Sequence, residues 1–75
     1  MSPEQVLDRH EQAAIKKVAA RMSAAFPEFS TTAVDETVQR VYHRFDGSRV
    51  RTFVPVLVEH ATRDELADRK QGMLR

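Results

Sequence analysis

Apolar residues recur at steps of three and four through three successive segments of this 75-residue chain, and that spacing constrains its fold more than any other feature. A repeat near 3.6 residues places such positions on one side of an α-helix, whereas the residues of a strand alternate between two faces. Three amphipathic helices bury one another's apolar sides most simply as a bundle. The sequence therefore predicts an all-α, three-helix bundle in a single domain, with helices at roughly 3–26, 31–45 and 49–70.

The first helix has a clear start signal in the stretch SPEQ. Ser2 is a candidate N-cap, Pro3 suits the first helical position, and Gln5 can complete a capping box. Pro27 then ends the segment. The side that we expect to face the core carries Leu7, Glu11, Ile15, Val18, Met22 and Phe26.

The second helix follows the stretch FPEFSTT, in which Ser30 or one of the two threonines after it can cap the helix. We expect Glu36 and Arg40 to form an ion pair one turn apart. We expect Gly47 to end the helix in a left-handed conformation. The predicted core positions are Val34, Val38, Val41, Tyr42 and Phe45.

The third segment contains RTFVPVLVEH, residues 51–60, an apolar run interrupted by Pro55. A strand is the alternative, since valine and phenylalanine favour strands, but no second strand is visible for it to pair with. A helix either begins at Ser48 and bends at the proline, or is capped by Thr52 so that Pro55 lies in its first turn. A capping-box pattern at Thr62 leaves open whether the helix continues or restarts there. The predicted core line is Val50, Phe53, Val54, Leu57 and Ala61.

Not every apolar residue of the third helix fits this core line. Phe53, Val56 and His60 form a second line along the helix, and Val56 lies off the core line altogether. A chain this short cannot enclose a helix that is apolar on more than one side, so such a helix indicates a partner chain. We predict a homodimer with an interface built around Phe53, Val56 and His60 and completed by Tyr42 of the second helix.

The residue types that most catalytic and metal chemistries need are missing or wrongly spaced. The chain has no cysteine, and therefore no disulfide and no thiolate nucleophile. His10, His43 and His60 match no metal-ligand spacing, and His60 with Asp64 one turn later supplies only two ligands. Three of the four serines occupy expected capping positions. We expect no catalytic residue, no metal and no cofactor, and hence a protein that is not an enzyme.

Charge and hydropathy disfavour two classes of partner. Twelve basic and eleven acidic residues give a net charge of +1, which provides no general attraction to nucleic acid or anionic membranes. No apolar stretch approaches the roughly 20 residues of a membrane span. The N-terminus MSPEQVLDRH lacks the basic start and apolar core of a signal peptide. We therefore expect a cytoplasmic protein that binds no membrane.

A DNA-binding helix-turn-helix protein is the rival interpretation. Residues 39–51 carry four arginines against one aspartate, and a short turn with a glycine joins two helices. A solvated charged face explains these arginines equally well. The helix that would read the bases also lacks the arginine, asparagine and glutamine side chains that contact base edges. That helix carries instead Phe53, Val54, Val56, Leu57 and Val58.

The motifs FPEFS and VRTFVPVLVEH, together with the apolar line of the second helix between them, resemble the actinobacterial three-helix bundle dimerisation domain. The resemblance extends over about residues 11–66, and its most specific part is FVPVLVE at 53–59. In that family an arginine usually follows the glutamate, whereas this chain has His60. A salt bridge at that position therefore does not carry over to this chain.

The resemblance implies a bundle that dimerises, found both in free-standing small proteins and as an N-terminal module of low-molecular-weight tyrosine-phosphatase-like arsenate reductases. This chain lacks the cysteine that such enzymes use, which leaves association. We expect a small non-catalytic dimerisation or protein-interaction module that self-associates through its third helix. The alternatives are a DNA-binding regulator and a docking module for a separately encoded phosphatase-like arsenate reductase.

Overall fold

The chain is an all-α three-helix bundle. A computed structural model describes residues 3–49 and 51–73, with side chains from His10 onward. Helix α1 spans Pro3–Ala25 and α2 spans Thr31–His43; a 3₁₀ turn at Arg51–Phe53 then leads into α3, Val54–Met73. No strand occurs in these ranges, so the strand alternative for residues 51–60 is wrong.

Each helix packs against both of the others around one core. Ion pairs near both ends of the bundle show that α1 and α3 run in the same direction, with α2 antiparallel to them. The bundle is elongated, measuring 50 × 19 × 15 Å, because all three helices follow its long axis. The buried apolar residues are Ile15, Val18, Met22, Phe26, Val34, Val38, Val41, Val54, Val58 and Leu66.

Helix α1 buries the side that its periodicity predicts. Every described member of the predicted line is buried, including the carboxylate residue Glu11, which is only 8% exposed. The helix ends at Ala25, and Pro27 follows in a turn. Ser2, Val50 and the side chain of Leu7, which also entered the sequence predictions, lie outside the described residues.

Helix α2 begins as predicted but ends differently. Ser30 is its N-cap, and the Ser30 hydroxyl accepts a 3.1 Å hydrogen bond from the Ala33 backbone N–H. The helix ends at His43 rather than near residue 45, and the predicted left-handed conformation at Gly47 is wrong, since no described glycine has a positive φ. The guanidinium of Arg51 instead donates to the carbonyls of Phe45 and Asp46. The Phe45 carbonyl also accepts a 3.0 Å hydrogen bond from the Ser48 backbone N–H, so the turn after α2 is held by backbone hydrogen bonds together with an arginine from the following segment.

The predicted ion pair between Glu36 and Arg40 is also wrong. Arg40 donates to both carboxylate oxygens of Glu65 on α3, each at 2.8 Å. A planar guanidinium and a carboxylate can form two parallel hydrogen bonds. Glu36, one turn away on the same helix, is less well placed for this geometry than Glu65 on α3. The arginine thus links α2 to α3 rather than supporting α2 alone.

Pro55 is the second residue of α3 and so lies in the first turn, as the second alternative predicts, but Thr52, the cap in that alternative, lies within the 3₁₀ turn instead. A proline there removes no intrahelical hydrogen bond, because the first four N–H groups of a helix have no partner within the helix. The helix does not begin at Ser48, and it runs through Thr62 without restarting.

The predicted core line of α3 needs correction. Val54 is fully buried and Ala61 is half-buried, but Phe53 and Leu57 are exposed. Two candidate lines start from Val54 within the α-helix, one continuing after three residues to Leu57 and the other after four residues to Val58, and the sequence prediction followed the first. The line that faces the core steps by four residues and consists of Val54, Val58, Thr62 and Leu66.

We expect Pro55→Ala to destabilise the bundle by about 0.4–1 kcal/mol. The proline restricts the unfolded chain at a position whose native conformation suits it, and alanine removes that restriction. Urea unfolding followed by helical circular dichroism measures the change. A more stable variant would show that the helix is strained at the proline, contrary to its place in the first turn.

We expect Thr62→Val to stabilise the bundle by about 1 kcal/mol, since an unsatisfied buried polar group carries a desolvation cost. Thr62 is fully buried, and its hydroxyl has no hydrogen-bond partner among the described residues. Thr37→Val is the matched control. The Thr37 hydroxyl donates to the Ala33 carbonyl at 2.9 Å and accepts from Arg69 at 3.2 Å, so the same substitution there should destabilise. Equal effects of the two substitutions in urea unfolding would contradict this account.

Candidate interaction surface

Helix α3 carries a line of exposed side chains that are apolar or aromatic. Phe53, at its start, is 58% exposed, Val56 is 51% exposed and Leu57 is 41% exposed, and His60 is exposed as well. Val56 and Leu57 lie four and three residues before His60, which places these three on one side of α3, and Phe53 is the last residue of the 3₁₀ turn directly before the helix. We call these four residues the α3 ridge.

The α3 ridge lies roughly opposite the side of the helix that faces the core. At about 100° per residue, Leu57 and Val58 point in clearly different directions, and the line from Val54 to Leu66 centres nearly half a turn away from the ridge. The ridge is therefore the part of α3 most distant from α1 and α2. One helix consequently presents two apolar sides, and the bundle buries only one of them.

Ion pairs on both flanks of α3 hold the helix in this rotation. On one flank, Glu59 accepts a 2.6 Å hydrogen bond from Arg21 of α1. On the other flank, Glu65 binds Arg40 of α2. These partly exposed pairs are individually weak, but each depends on the rotation of α3 that points the ridge outward.

A polar network at the start of α3 sets where that helix begins. The carboxylate of Glu11 accepts two hydrogen bonds from the guanidinium of Arg51 and a 2.5 Å hydrogen bond from the Tyr42 hydroxyl. These three residues come from α1, α2 and the 3₁₀ turn. The network therefore joins all three helical segments at one end of the bundle.

The network shifts the pKa values of its members. Burial alone raises the pKa of Glu11, but hydrogen bonds from Arg51 and Tyr42 and the positive charge of Arg51 outweigh it, so the pKa of Glu11 lies below its ordinary value. Burial, together with the hydrogen bond to Glu11 and the charge of Glu11, raises the pKa of Tyr42 to about 12. The network is thus a charged carboxylate held by one cation and one neutral phenol.

The four residues predicted for the dimer interface occupy two places in the structure. Phe53, Val56 and His60 lie together on the α3 ridge. Tyr42 lies on α2, half-buried against the core, with its hydroxyl used in the polar network. Its part in a contact between chains stays a prediction.

Leu57 is the ridge residue that the sequence prediction missed, since it was placed in the core. The sequence contained one signal that could have found it. Val58 and Leu66 lie four and twelve residues after Val54, which indicates a competing core line, but the threonine at position 62 interrupts that line with a polar side chain. Because Thr62 is polar and yet buried, a search for regularly spaced apolar residues does not find the correct core line of α3.

The arginines that suggested DNA binding are largely engaged with carboxylates. Arg40 and Arg51 form two-bond pairs with Glu65 and Glu11, and Arg44 lies 3.8 Å from Glu65. Arg49 is exposed and has no carboxylate partner in the described part of the chain. Most of the local positive charge is therefore neutralised within the bundle.

A shallow groove of about 500 Å³ lies between α1 and the start of α3. Arg51 contributes to its wall, but the donors of that guanidinium are used by Glu11 and by the carbonyls that follow α2. The carboxylate of Glu11 also lines the groove and would repel an anion. The groove residues are His10, Glu11, Ala14, Arg49, Arg51, Thr52 and Pro55.

Residues 3–49 and 51–73 contain neither a metal-binding cluster nor a membrane-spanning helix. No group of three or more histidine, aspartate or glutamate side chains there could hold a metal ion. No helix in these ranges combines the length and the apolar character that crossing a membrane requires. The α3 ridge is thus the described feature that most favours an interaction.

Comparison with protein-family models, with curated proteins and with solved structures gives no match to this chain.

The chain contains a single tyrosine and no tryptophan, so its tyrosinate absorbance reports on Tyr42 alone. We expect a titration midpoint clearly above 10 for the native protein, because the pKa of Tyr42 is raised to about 12. A raised pKa stabilises the fold fully below pH 10, and this contribution is lost as pH rises towards 12. Glu11→Gln should lower the midpoint, since it removes the carboxylate charge. A midpoint of 10 with the helical circular dichroism intact would contradict the network.

Proposed function

We propose that this protein is a non-catalytic self-association module that forms a homodimer through the α3 ridge. One observation carries the proposal: Phe53, Val56, Leu57 and His60 are exposed on the side of α3 that faces away from the core. Contiguous exposed apolar side chains are characteristic of interaction sites in soluble proteins. The occupant we propose is the α3 ridge of a second copy.

The size of the protein supports a second copy as the occupant. A chain of this length buries only about 60% of the surface that its unfolded form exposes, and small scaffolds often gain stability by association. In a symmetric dimer the same surface patch serves both partners, so one apolar ridge is sufficient. Burial of two ridges against each other would extend the apolar core across the contact.

The available area is compatible with such a dimer. A standard interface takes about 800 Å² from each partner. That area is about one seventh of the 5477 Å² accessible surface. The ridge would form the apolar centre of the contact, and the polar residues beside it along the 20 residues of α3 would form the rim.

Neither alternative gains a specific observation. A DNA-binding surface would need free cationic side chains, but Arg40 and Arg51 are paired with carboxylates and the ridge is apolar. Docking onto a separately encoded phosphatase-like arsenate reductase rests on the family resemblance alone. Retention of such an enzyme by a monomeric form of the chain would favour docking over self-association.

Val56→Glu tests the proposal, since it places a carboxylate at the centre of the ridge. In a monomer the change is at an exposed position and should alter the free energy of unfolding by no more than about 0.5 kcal/mol. In the dimer it buries a charge close to its own copy, and the dissociation constant should rise more than about a hundredfold. Sedimentation equilibrium over a wide concentration range, with helical circular dichroism in parallel, measures both effects.

Ala20→Glu is the matched control, because Ala20 is exposed on α1 and lies away from the ridge. It adds the same charge and should leave the dimer mass unchanged. A wild-type protein that is monomeric at high micromolar concentration would refute the dimer. A Val56→Glu variant that keeps the dimer mass would place the interface on another surface.

A further inference from the structure

We infer that the two α3 helices of the dimer run antiparallel, with Phe53 of each copy against His60 of the other and Arg49 of each copy facing Asp64 of the other. This inference rests on the proposed function, because it specifies the arrangement of that same contact. It assigns a role in recognition to two charged residues, Arg49 and Asp64, that lie outside the apolar ridge.

Asp64 is the residue that distinguishes the two possible orientations. It follows Leu57 by seven residues and His60 by four, so it continues the ridge line along α3. Its side chain is exposed and has no ion-pair partner among the described residues. The ridge therefore runs from an aromatic side chain at one end to a free carboxylate at the other.

A parallel arrangement would bring like groups together. Each ridge residue would face its own copy, so that Asp64 lies opposite Asp64 and His60 lies opposite His60. Two carboxylates facing each other at the edge of an apolar contact repel and lose hydration. The dipoles of the two α3 helices would also point in the same direction, which adds a smaller unfavourable interaction.

An antiparallel arrangement pairs unlike groups. With the symmetry axis between Val56 and Leu57, Val56 of each copy packs against Leu57 of the other. Phe53 then meets His60, a contact between two rings that favours stacked or edge-on geometry. The apolar part of the ridge is thereby matched over its whole length.

The same axis places Asp64 of one copy beside the segment that precedes Phe53 in the other. Arg49 lies in that segment, exposed and without a carboxylate partner in the ranges described. Its neighbour Arg51 is already bound to Glu11, so Arg49 is the cation available there. Arg63 follows Val56 by seven residues, so it lies at the edge of the ridge beside Asp64 of its own chain. The unpaired charges at the two ends of the ridge are thus complementary when the helices are antiparallel.

The distance between the C-terminal parts of the two α3 helices tests the orientation directly. The chain has no cysteine, so Gln71→Cys provides a single attachment point for a spin label at an exposed position. Residue 71 lies about 14 residues from the proposed axis, which at 1.5 Å per residue gives a separation of about 40 Å between labels in an antiparallel dimer. In a parallel dimer, with helix axes about 10 Å apart, the labels would lie within about 25 Å.

Pulsed electron-spin resonance on the labelled protein, with its mass determined at the same concentration, separates the outcomes. A dimer with labels about 40 Å apart supports the antiparallel arrangement. A dimer with the short distance overturns this arrangement and leaves the proposed homodimer intact. A monomeric mass for both the labelled and the unlabelled protein overturns the proposed function, and the arrangement with it.

Charge reversal tests the pairing of Arg49 with Asp64. Asp64→Arg and Arg49→Glu should each weaken the dimer about tenfold, because each replaces two attractive contacts per dimer with two repulsive ones. The double variant restores opposite charges in an antiparallel dimer and should return to within about threefold of the wild-type dissociation constant. Asp35→Arg, at an exposed position on α2, is the control for altered net charge and should have little effect. Single variants that dimerise as well as the wild type, or a double variant as weak as the singles, would overturn the pairing.

Discussion

The ion pair between Glu11 and Arg51 is the interaction on which the arrangement of the bundle depends. Glu11 is buried on α1, and Arg51 begins the 3₁₀ turn that leads into α3. Through the same guanidinium, Arg51 also binds carbonyls that follow α2, while Tyr42 supplies a further hydrogen bond to Glu11. Glu11 is the buried partner and Arg51 is partly exposed, so loss of Arg51 would leave a buried carboxylate without its counter-charge, which costs more than loss of an exposed pair. One end of the bundle is therefore held by a specific polar contact rather than by apolar packing alone.

The segment that this contact holds leads directly into α3. Arg51 is the first residue of the 3₁₀ turn, and the α-helix begins three residues later, at Val54. The helix then buries Val58 and leaves Leu57 exposed. A shift of one residue in this phase rotates the helix by about 100° and would exchange parts of the two apolar sides. The exposure of the α3 ridge therefore depends on the rotation of α3 against the other two helices.

A helix with two apolar sides is consistent with the self-association that we propose. One side completes a small core, and the other remains available to a partner without any rearrangement of the bundle. In the proposed dimer the charges near the ridge would have a separate role, because apolar contacts supply affinity while charged groups select orientation. In this protein the charges that hold the monomer together, such as those of Arg21 and Glu59, are paired within the chain. Those proposed to orient the dimer, Arg49 and Asp64, are not.

The sequence by itself determined the number of helices, the core sides of α1 and α2, and the cap at Ser30, because these depend on local periodicity and on side chains that bond to nearby backbone. The tertiary structure decided the rest. The partner of Arg40, the end of α2 and the rotation of α3 all depend on residues distant in sequence. In a run as apolar as FVPVLV, several rotations of the helix would bury apolar side chains equally well. Only the packing of α3 against α1 and α2, with Arg51 held by Glu11, shows that Val54, Val58 and Leu66 are inside and that Leu57 belongs to the exposed ridge.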